Sequence, residues 1–93
     1  MSAIVTDIRF KPASRAQRQT GLVGFVSCRL DGRWLLDDVR ICETVDRRHV
    51  VAFPSRRDAN GARHSILRPL DDETRMLVET AILGSLRRER RIP

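Results

Sequence analysis

Alternating hydrophobic and polar residues predict β-strands in the first third of the chain. In the segment Ala3–Lys11, alternate residues form a mostly apolar face, which comprises Ile4, Thr6, Ile8 and Phe10. This period of two is typical of a half-buried strand. Gly21–Leu30 alternates in the same way and predicts the second strand. Asp31-Gly32 follows it, and both residues tolerate the positive φ of a two-residue hairpin turn.

The third predicted strand, Arg33–Cys42, has apolar residues on both faces, which indicates a central position in the sheet. Asp37 and Asp38 interrupt its apolar pattern, so one of them must point inward or lie at a β-bulge. The connections on either side are polar. Pro12–Thr20 is expected to be a mobile loop, and Glu43–Arg48 is expected to be a charged connection.

Val50–Arg57 predicts a fourth strand that becomes polar at Pro54 and ends in two adjacent arginines. Since proline has no N–H to donate to a sheet, Pro54 marks an edge, a bulge or the end of the strand. Asp58–Gly61 has the composition of a turn. Ala62–Leu67 then predicts a short fifth strand, which ends before Pro69.

One amphipathic helix is predicted after the strands, with Asp71 as its N-cap. Asp72 and Glu73 place negative charge in the first turn, where the helix dipole is positive. Apolar residues then recur at helical spacing. The predicted core stripe comprises Leu77, Val78, Ala81, Ile82 and Leu86, with Met76 and Leu83 at the edge of the core. The elements predict the α+β class: an antiparallel β-sheet meander of about five strands followed by a C-terminal α-helix.

One domain is expected over residues 1–93, with the sheet in 2–70 and the helix in 71–90. A chain of 93 residues buries about two-thirds or less of the surface that its unfolded form exposes, so a homodimer is favoured over a lone protomer. No apolar run approaches the ~20 residues that a membrane span needs, and the N-terminus lacks the pattern of a signal peptide. We therefore expect a cytoplasmic protein with no membrane partner.

The formal net charge is +6, and arginine supplies almost all of the positive side chains. A basic balance favours polyanionic partners such as DNA or RNA, because the planar guanidinium group is suited to phosphate. The candidate contacts are six arginines in three adjacent pairs: Arg56 and Arg57, Arg47 and Arg48, and Arg87 and Arg88. Two alternatives stay open: the first pair would be solvated residues before a turn, and the last would compensate the helix dipole.

Other charged and aromatic residues are expected to have structural roles. Arg9 and Arg40 would form cross-strand ion pairs with Asp7 or Asp38. The chain has three phenylalanines and one tryptophan, and a stacking surface for single strands needs exposed aromatic residues. Trp34 is the one candidate, and core or dimer packing is favoured for it. Binding is therefore expected to depend mainly on phosphate contacts, with modest sequence selectivity.

Catalysis is not expected. Adjacent residues in a strand point to opposite faces, so Asp37 and Asp38 cannot act directly as an acid–base pair. Cys28 and Cys42 also point to opposite faces if Asp31-Gly32 forms a two-residue turn, which disfavours a disulfide. The two histidines lack zinc-type spacing, and there is no glycine-rich phosphate loop. No cofactor, metal or small-molecule substrate is therefore predicted.

Three segments resemble the signature segments of the SpoVG family, small bacterial proteins named for stage V sporulation and also called septation proteins. These segments are Val5–Arg9, Asp38–Ile41 and Val51–Arg57. Gly61, the Ile66–Pro69 segment and the terminal helix follow in the same order as in that family. The resemblance covers about residues 4–86.

This resemblance implies an antiparallel sheet with a C-terminal helix, a homodimer, and binding of DNA and RNA in gene regulation. It also implies nucleic-acid contact by the basic pair after proline-serine, which corresponds to Arg56 and Arg57. The chain departs from the family pattern at Asp37, at Phe53 and in the connection 43–49.

Two functional hypotheses follow from the sequence. In the first, the protein is a dimeric nucleic-acid-binding regulator. In the second, it is a non-catalytic adaptor in septation or cell-cycle control, which docks a protein partner through its sheet edge or helix face. The salt dependence of binding separates the two hypotheses, since phosphate contacts weaken steeply as salt rises.

Overall fold

The computed structural model describes residues 4–93, so the predicted start of the first strand at Ala3 lies outside the described residues. Strands β1 to β4 form an antiparallel sheet in sequential order, and β5 and β6 form a separate two-stranded sheet. This arrangement confirms the predicted α+β class. The elements are β1 Val5–Pro12, α1 Arg15–Arg18, β2 Leu22–Leu30, β3 Trp34–Glu43, β4 His49–Ala52, β5 Ser55–Arg57, β6 Arg63–Ser65 and α2 Asp72–Arg88.

A β-bulge in β1 decides which of its residues face the core. The segment 6–9 of β1 is one residue longer than the segment 27–29 of β2 that it pairs with. The extra residue is accommodated at Asp7, whose φ is 51°. Aspartate is one of the few residues that tolerate this left-handed conformation. The bulge reverses the inward face, so Val5 is buried and Ile4 is 47% exposed, and the predicted single apolar face of this strand is wrong at its beginning.

Strand β3 also contains a β-bulge, at the position expected from its two aspartates. The segment 36–39 of β3 opposes the shorter segment 26–28 of β2, and Asp38 has a φ of 57°. Because of the extra residue, Leu36 before the bulge and Val39 after it are both buried. Asp7 and Asp38, each followed by an apolar residue and an arginine, therefore lie at bulges that bend the two strands next to β2.

The predicted fourth strand is two strands, because Pro54 ends the first of them. β4 stops at Ala52, and β5 begins after the proline and pairs with β6 instead of the main sheet. Pro54 is buried, and its carbonyl accepts the N–H of Ile66 at 2.9 Å. The predicted fifth strand is correspondingly shorter, at Arg63–Ser65. The predicted mobile loop 12–20 is also wrong in part, since it contains α1, a single turn held by a capping box between Ser14 and Gln17.

Helix α2 begins as predicted, with the Asp71 side chain accepting the Thr74 N–H at 2.8 Å. Of the predicted core stripe, Leu77 is 54% exposed, whereas Leu83 is buried. The stripe is therefore rotated towards Leu83. The helix and the sheet close around one core, whose most deeply buried side chains are Val26, Cys28, Val39, Ile41, Ile82 and Leu86.

Candidate nucleic-acid interface

Three of the predicted arginines meet at one end of the sheet. The β3–β4 turn contributes Arg47 and Arg48, and the C-terminal part of α2 contributes Arg87. They line a cavity of about 570 Å³ together with Glu43, His49 and Pro93. The structure thus brings together residues that are about 40 positions apart in the sequence.

Local hydrogen bonds fix the shape of the β3–β4 turn. Thr44 donates its N–H to the Arg48 carbonyl at 2.9 Å and accepts the Arg48 N–H with its side-chain oxygen at 3.2 Å. The Arg47 N–H donates to the Thr44 carbonyl at 2.9 Å, and Arg47 has a φ of 64°. These hydrogen bonds fix the backbone of the turn, and both arginine side chains on it are exposed.

The chain reverses direction immediately after α2. The Arg91 N–H donates to the Leu86 carbonyl at 2.8 Å, and the N–H of Arg90, at φ 59°, donates to the Arg87 carbonyl at 3.1 Å. This pair of hydrogen bonds is the Schellman motif. The reversal returns the C-terminus to the helix, where the Arg87 Nε donates to the Pro93 carbonyl at 3.3 Å.

Two further arginines extend this cluster. Arg91 lies over the Phe10 ring, with 5.9 Å from its guanidinium carbon to the ring centroid. Arg91 and Arg18 also line an adjoining cavity of about 540 Å³, which shares Glu43 with the first. The signal for Arg18 was present in the sequence as a basic residue in the segment 12–20. We define the basic end of the molecule as Arg18, Arg47, Arg48, Arg87 and Arg91.

The basic end has few acidic partners. Within residues 4–93, no aspartate or glutamate oxygen lies within 4.0 Å of a guanidinium nitrogen of these five arginines, although the Arg87 Nε donates to the Pro93 oxygen. Glu43, the carboxylate shared by both cavities, lies 4.0 Å from the Nε2 of His49, whose side chain is almost fully buried. Unpaired arginines around an open cavity can donate paired hydrogen bonds to phosphate oxygens.

The predicted pair Arg56 and Arg57 lies elsewhere, on the β5–β6 hairpin. Arg56 is directly opposite His64 and Arg57 is directly opposite Arg63, so the two neighbours point to opposite faces of the hairpin. Both are exposed, and neither lines the cavities of the basic end. The exposed Arg88 also lies outside those cavities.

The turn of this hairpin is held by Asp58. One carboxylate oxygen accepts the N–H groups of Asn60 and Ala62, each at 2.9 Å, and the other lies 2.7 Å from the Nε2 of His64. The hydrogen bond to His64, followed by those from the backbone, lowers the pKa of Asp58. The hairpin that displays Arg56 therefore has a carboxylate in its turn that stays ionised at lower pH than an ordinary aspartate.

The expected roles of the remaining arginines and of Trp34 are partly corrected. Arg40 pairs with Asp38 as expected, at 3.9 Å, although along its own strand rather than across strands. Asp7 pairs with Arg29 at 3.7 Å, not with Arg9. Trp34 is 71% exposed at the end of the β2–β3 hairpin, so it does not pack in the core.

Other chemistry is sparse in the described part of the chain. No group of three or more histidine, cysteine or acidic side chains suited to a metal ion occurs within residues 4–93. Cys28 and Cys42 are both free thiols, and burial raises the pKa of Cys28. None of the helices described is both long and apolar enough to cross a bilayer.

Comparison with known proteins places the fold and the motifs in a family. The family model of SpoVG matches residues 3–88. A septation protein SpoVG of Onion yellows phytoplasma is 32% identical over 78 residues, which is 84% of this chain and 75% of that protein. Proteins of the same name from Phytoplasma australiense and Acetivibrio thermocellus are 32% and 28% identical. Both of these matches cover 85% of this chain, and they cover 78% and 80% of the respective relatives.

Proposed function

The chain belongs to the SpoVG family, and on that premise we propose that it is a dimeric regulator that binds DNA or RNA through arginine–phosphate contacts. The observation that carries this proposal is the convergence of Arg47, Arg48 and Arg87 around one open cavity. The first two come from a hydrogen-bonded turn and the third from a capped helix end, so the backbone positions of the three arginines are fixed. Fixing the backbone before binding lowers the conformational entropy that is lost when a phosphate binds.

The proposed dimer has two supports. One is the modest burial expected of a 93-residue chain. The other is an apolar groove of about 220 Å³ near the N-terminal part of α2, whose lining includes the exposed Ile4, Leu67 and Leu70. Two copies would present two basic ends, and engagement of both by one polymer would raise the overall affinity.

The proposal is tested by the salt dependence of binding. Labelled duplex DNA and RNA are titrated with protein at about 50 and 200 mM salt, with fluorescence anisotropy as the signal. Each arginine–phosphate contact on B-DNA contributes about 0.9 to the slope of log K against log salt. Arg47→Gln/Arg48→Gln is therefore expected to reduce the slope by about 1.8 for each basic end that contacts the polymer, or by about 3.6 when both ends of the dimer do, and to weaken binding to unrelated sequences equally.

A matched control removes the same charge elsewhere. Arg29→Gln/Arg33→Gln also deletes two positive charges, but on the β2–β3 hairpin, at the opposite end of the sheet from the β3–β4 turn. This control is expected to leave the slope nearly unchanged. Equal losses in both variants would mean that net charge, not the basic end, governs binding.

The Arg56→Ala/Arg57→Ala variant separates the hairpin from the basic end. A loss of affinity in this variant alone, with Arg47→Gln/Arg48→Gln unaffected, would move the contact site to the hairpin. If the folded protein binds neither DNA nor RNA at low salt, the regulator proposal fails. The adaptor hypothesis, with a protein partner, then takes its place.

A further inference from the structure

The main sheet has a second face that helix α2 does not cover. Val26, Val39 and Ile41 are buried on the covered face. Because side chains alternate along a strand, Phe25 and Arg40 lie on the other face. The cavity over part of this face, about 510 Å³, is lined only by residues of β1, β2 and β3.

Phe25 lies at the centre of a straight row of residues across this open face. It is directly opposite Lys11 of β1 on one side and Arg40 of β3 on the other. Phe25 is half-buried, and it does not belong to the hydrophobic cluster that forms the core, in contrast to Phe10 and Phe53. An aromatic ring thus lies outside the core, between two long cationic side chains.

We propose that this row binds single-stranded nucleic acid, with a base stacked on Phe25 and neighbouring phosphates bound by Lys11 and Arg40. The inference rests on the proposed function and adds to it a second contact surface and a preference for unpaired bases. Stacking on an aromatic side chain requires access to the flat face of a base, which a single strand offers and a duplex does not.

The spacing of the row suits this ligand. Adjacent strands lie about 4.8 Å apart, so the backbones at Lys11 and Arg40 are each about one strand spacing from Phe25. A phosphate on either side of the stacked base is then within reach of a long side chain. The row gives one base site with a cation on each side.

The cavity beside Phe25 is lined by the cationic Arg9 and Lys11 and by the acidic Asp37 and Asp38. Within residues 4–93, neither Lys11 nor Arg9 has a carboxylate oxygen within 4.0 Å. The Arg40–Asp38 pair is 3.9 Å long, and both of its side chains are about half exposed. An exposed pair of this kind is weak, so Arg40 can exchange Asp38 for a phosphate.

The positive charge continues beyond Arg40. A cleft of about 630 Å³ begins there and is lined by three more arginines of the β5–β6 hairpin, the following loop and α2. These are Arg63, Arg68 and Arg75. Its acidic lining residues are Asp38, Asp71 and Asp72. Asp38 pairs with Arg40, and Asp71 is engaged as the α2 N-cap through the Thr74 N–H. A strand that crosses Phe25 would therefore continue from the sheet into a cleft in which arginines outnumber acidic residues.

The test compares single-stranded and duplex binding in the 93-residue chain. Phe25→Leu keeps an apolar side chain and removes the aromatic face. Its affinity for a labelled thymidine oligonucleotide of about 12 nucleotides is expected to fall roughly 5- to 150-fold. Its affinity for a duplex of the same length, measured at the same salt concentration, is expected to stay unchanged. Phe25→Trp is expected to restore single-strand binding.

Trp34→Leu is the matched control, since it removes an aromatic ring that is 71% exposed but lines neither the cavity over this face nor the cleft beyond it. It is expected to leave the affinities for single strands and for duplexes unchanged. Circular dichroism confirms that each variant is folded. Sedimentation velocity reports whether the oligomeric state has changed.

Each other outcome overturns the inference. An equal loss for single strands and duplexes, or no loss for either, would remove Phe25 from the binding surface. Dissociation of an oligomer in Phe25→Leu would show that a second copy of the chain covers this face. If the wild-type protein binds duplexes through Arg47 and Arg48 but Phe25→Leu changes nothing, only this inference fails. If it binds no polymer at all, the proposed function fails as well.

Discussion

The left-handed backbone conformation at Asp38 predicts that glycine and valine at this position will differ in their effect on the free energy of unfolding. Asp38 has a φ of 57° and is the extra residue of the β3 bulge. Its carboxylate also forms a 3.9 Å ion pair with Arg40. The variants Asp38→Gly and Asp38→Val both remove the ion pair, but only valine has a branched side chain that opposes this conformation. Comparing them separates backbone strain from electrostatics.

The expected free energies of unfolding follow from these two effects. The exposed ion pair contributes at most about 1 kcal/mol. The left-handed conformation costs an L-residue about 1–2 kcal/mol, and glycine does not bear this cost. The free energy of unfolding of Asp38→Gly is therefore expected to lie within about 1 kcal/mol of the wild-type value. The relief of backbone strain offsets the loss of the ion pair and the greater conformational entropy of glycine in the unfolded chain. Asp38→Val is expected to be less stable than Asp38→Gly by about 2 kcal/mol.

Thermal unfolding followed by circular dichroism measures this difference. For a domain of this size, about 2 kcal/mol corresponds to a Tm difference of about 8–16 °C between the two variants. The neighbouring Asp37 supplies the control, because its φ is not positive. Asp37→Val and Asp37→Gly are expected to show no such gap in favour of glycine. Equal Tm values for Asp38→Val and Asp38→Gly would refute the bulge argument and assign the role of Asp38 to its charge.

Two further predictions concern packing and pH. A Cβ added at Gly24 would lie 2.5 Å from the Phe10 ring and 2.6 Å from the Lys11 carbonyl oxygen, so Gly24→Ala is expected to reduce the free energy of unfolding by about 1–3 kcal/mol in urea denaturation. Gly84→Ala is the control, because the nearest atom, on the flexible Arg88 side chain, is 3.4 Å away. Its free energy of unfolding is expected to rise by about 0.5–1 kcal/mol. A similar loss of stability at both glycines would contradict the packing argument. The pKa of Asp58 is lowered mainly by the hydrogen bond to His64. The stability that Asp58 gives to the hairpin is therefore present above the pKa of about 3.9 of an unfolded aspartate and is lost as pH falls through the lower folded pKa. An NMR titration of the Asp58 carboxyl carbon is expected to give a midpoint below about 3.9 that rises in His64→Gln, and an unchanged midpoint in that variant would exclude His64 as the main cause.

The arginine pattern identifies candidate residues but not their spatial arrangement. The sequence contains six basic candidates, and nothing in it indicates which of them lie close together in the fold. Arg56 and Arg57 are adjacent in sequence, and strand alternation places them on opposite faces of a hairpin. Arg47 and Arg87 are distant in sequence, and the fold places them around one cavity. Phe25 was likewise unremarkable until the register placed it between Lys11 and Arg40.

Features that depend on a few neighbouring residues were readable from the sequence alone. The hairpin after Leu30, the bulge at the paired aspartates, the interruption at Pro54 and the N-cap at Asp71 are of this kind. The predicted two-residue turn at Asp31-Gly32 is wrong in its length, because Leu30 pairs with Trp34 and the loop also includes Arg33. Each follows from a backbone angle or a hydrogen bond that the residue type itself favours or forbids. The family resemblance, which the family model confirms, rests on some of the same positions.

Other features were decided only by tertiary structure. The inward face of β1 changed because one residue was inserted relative to β2, and a shift of one residue exchanges the two faces of a strand. The core stripe of α2 includes Leu83 and leaves Leu77 exposed. The composition of the basic end depends on where the helix terminates over the sheet. These outcomes are set by pairing and packing between distant segments, and local residue preferences carry no information about them.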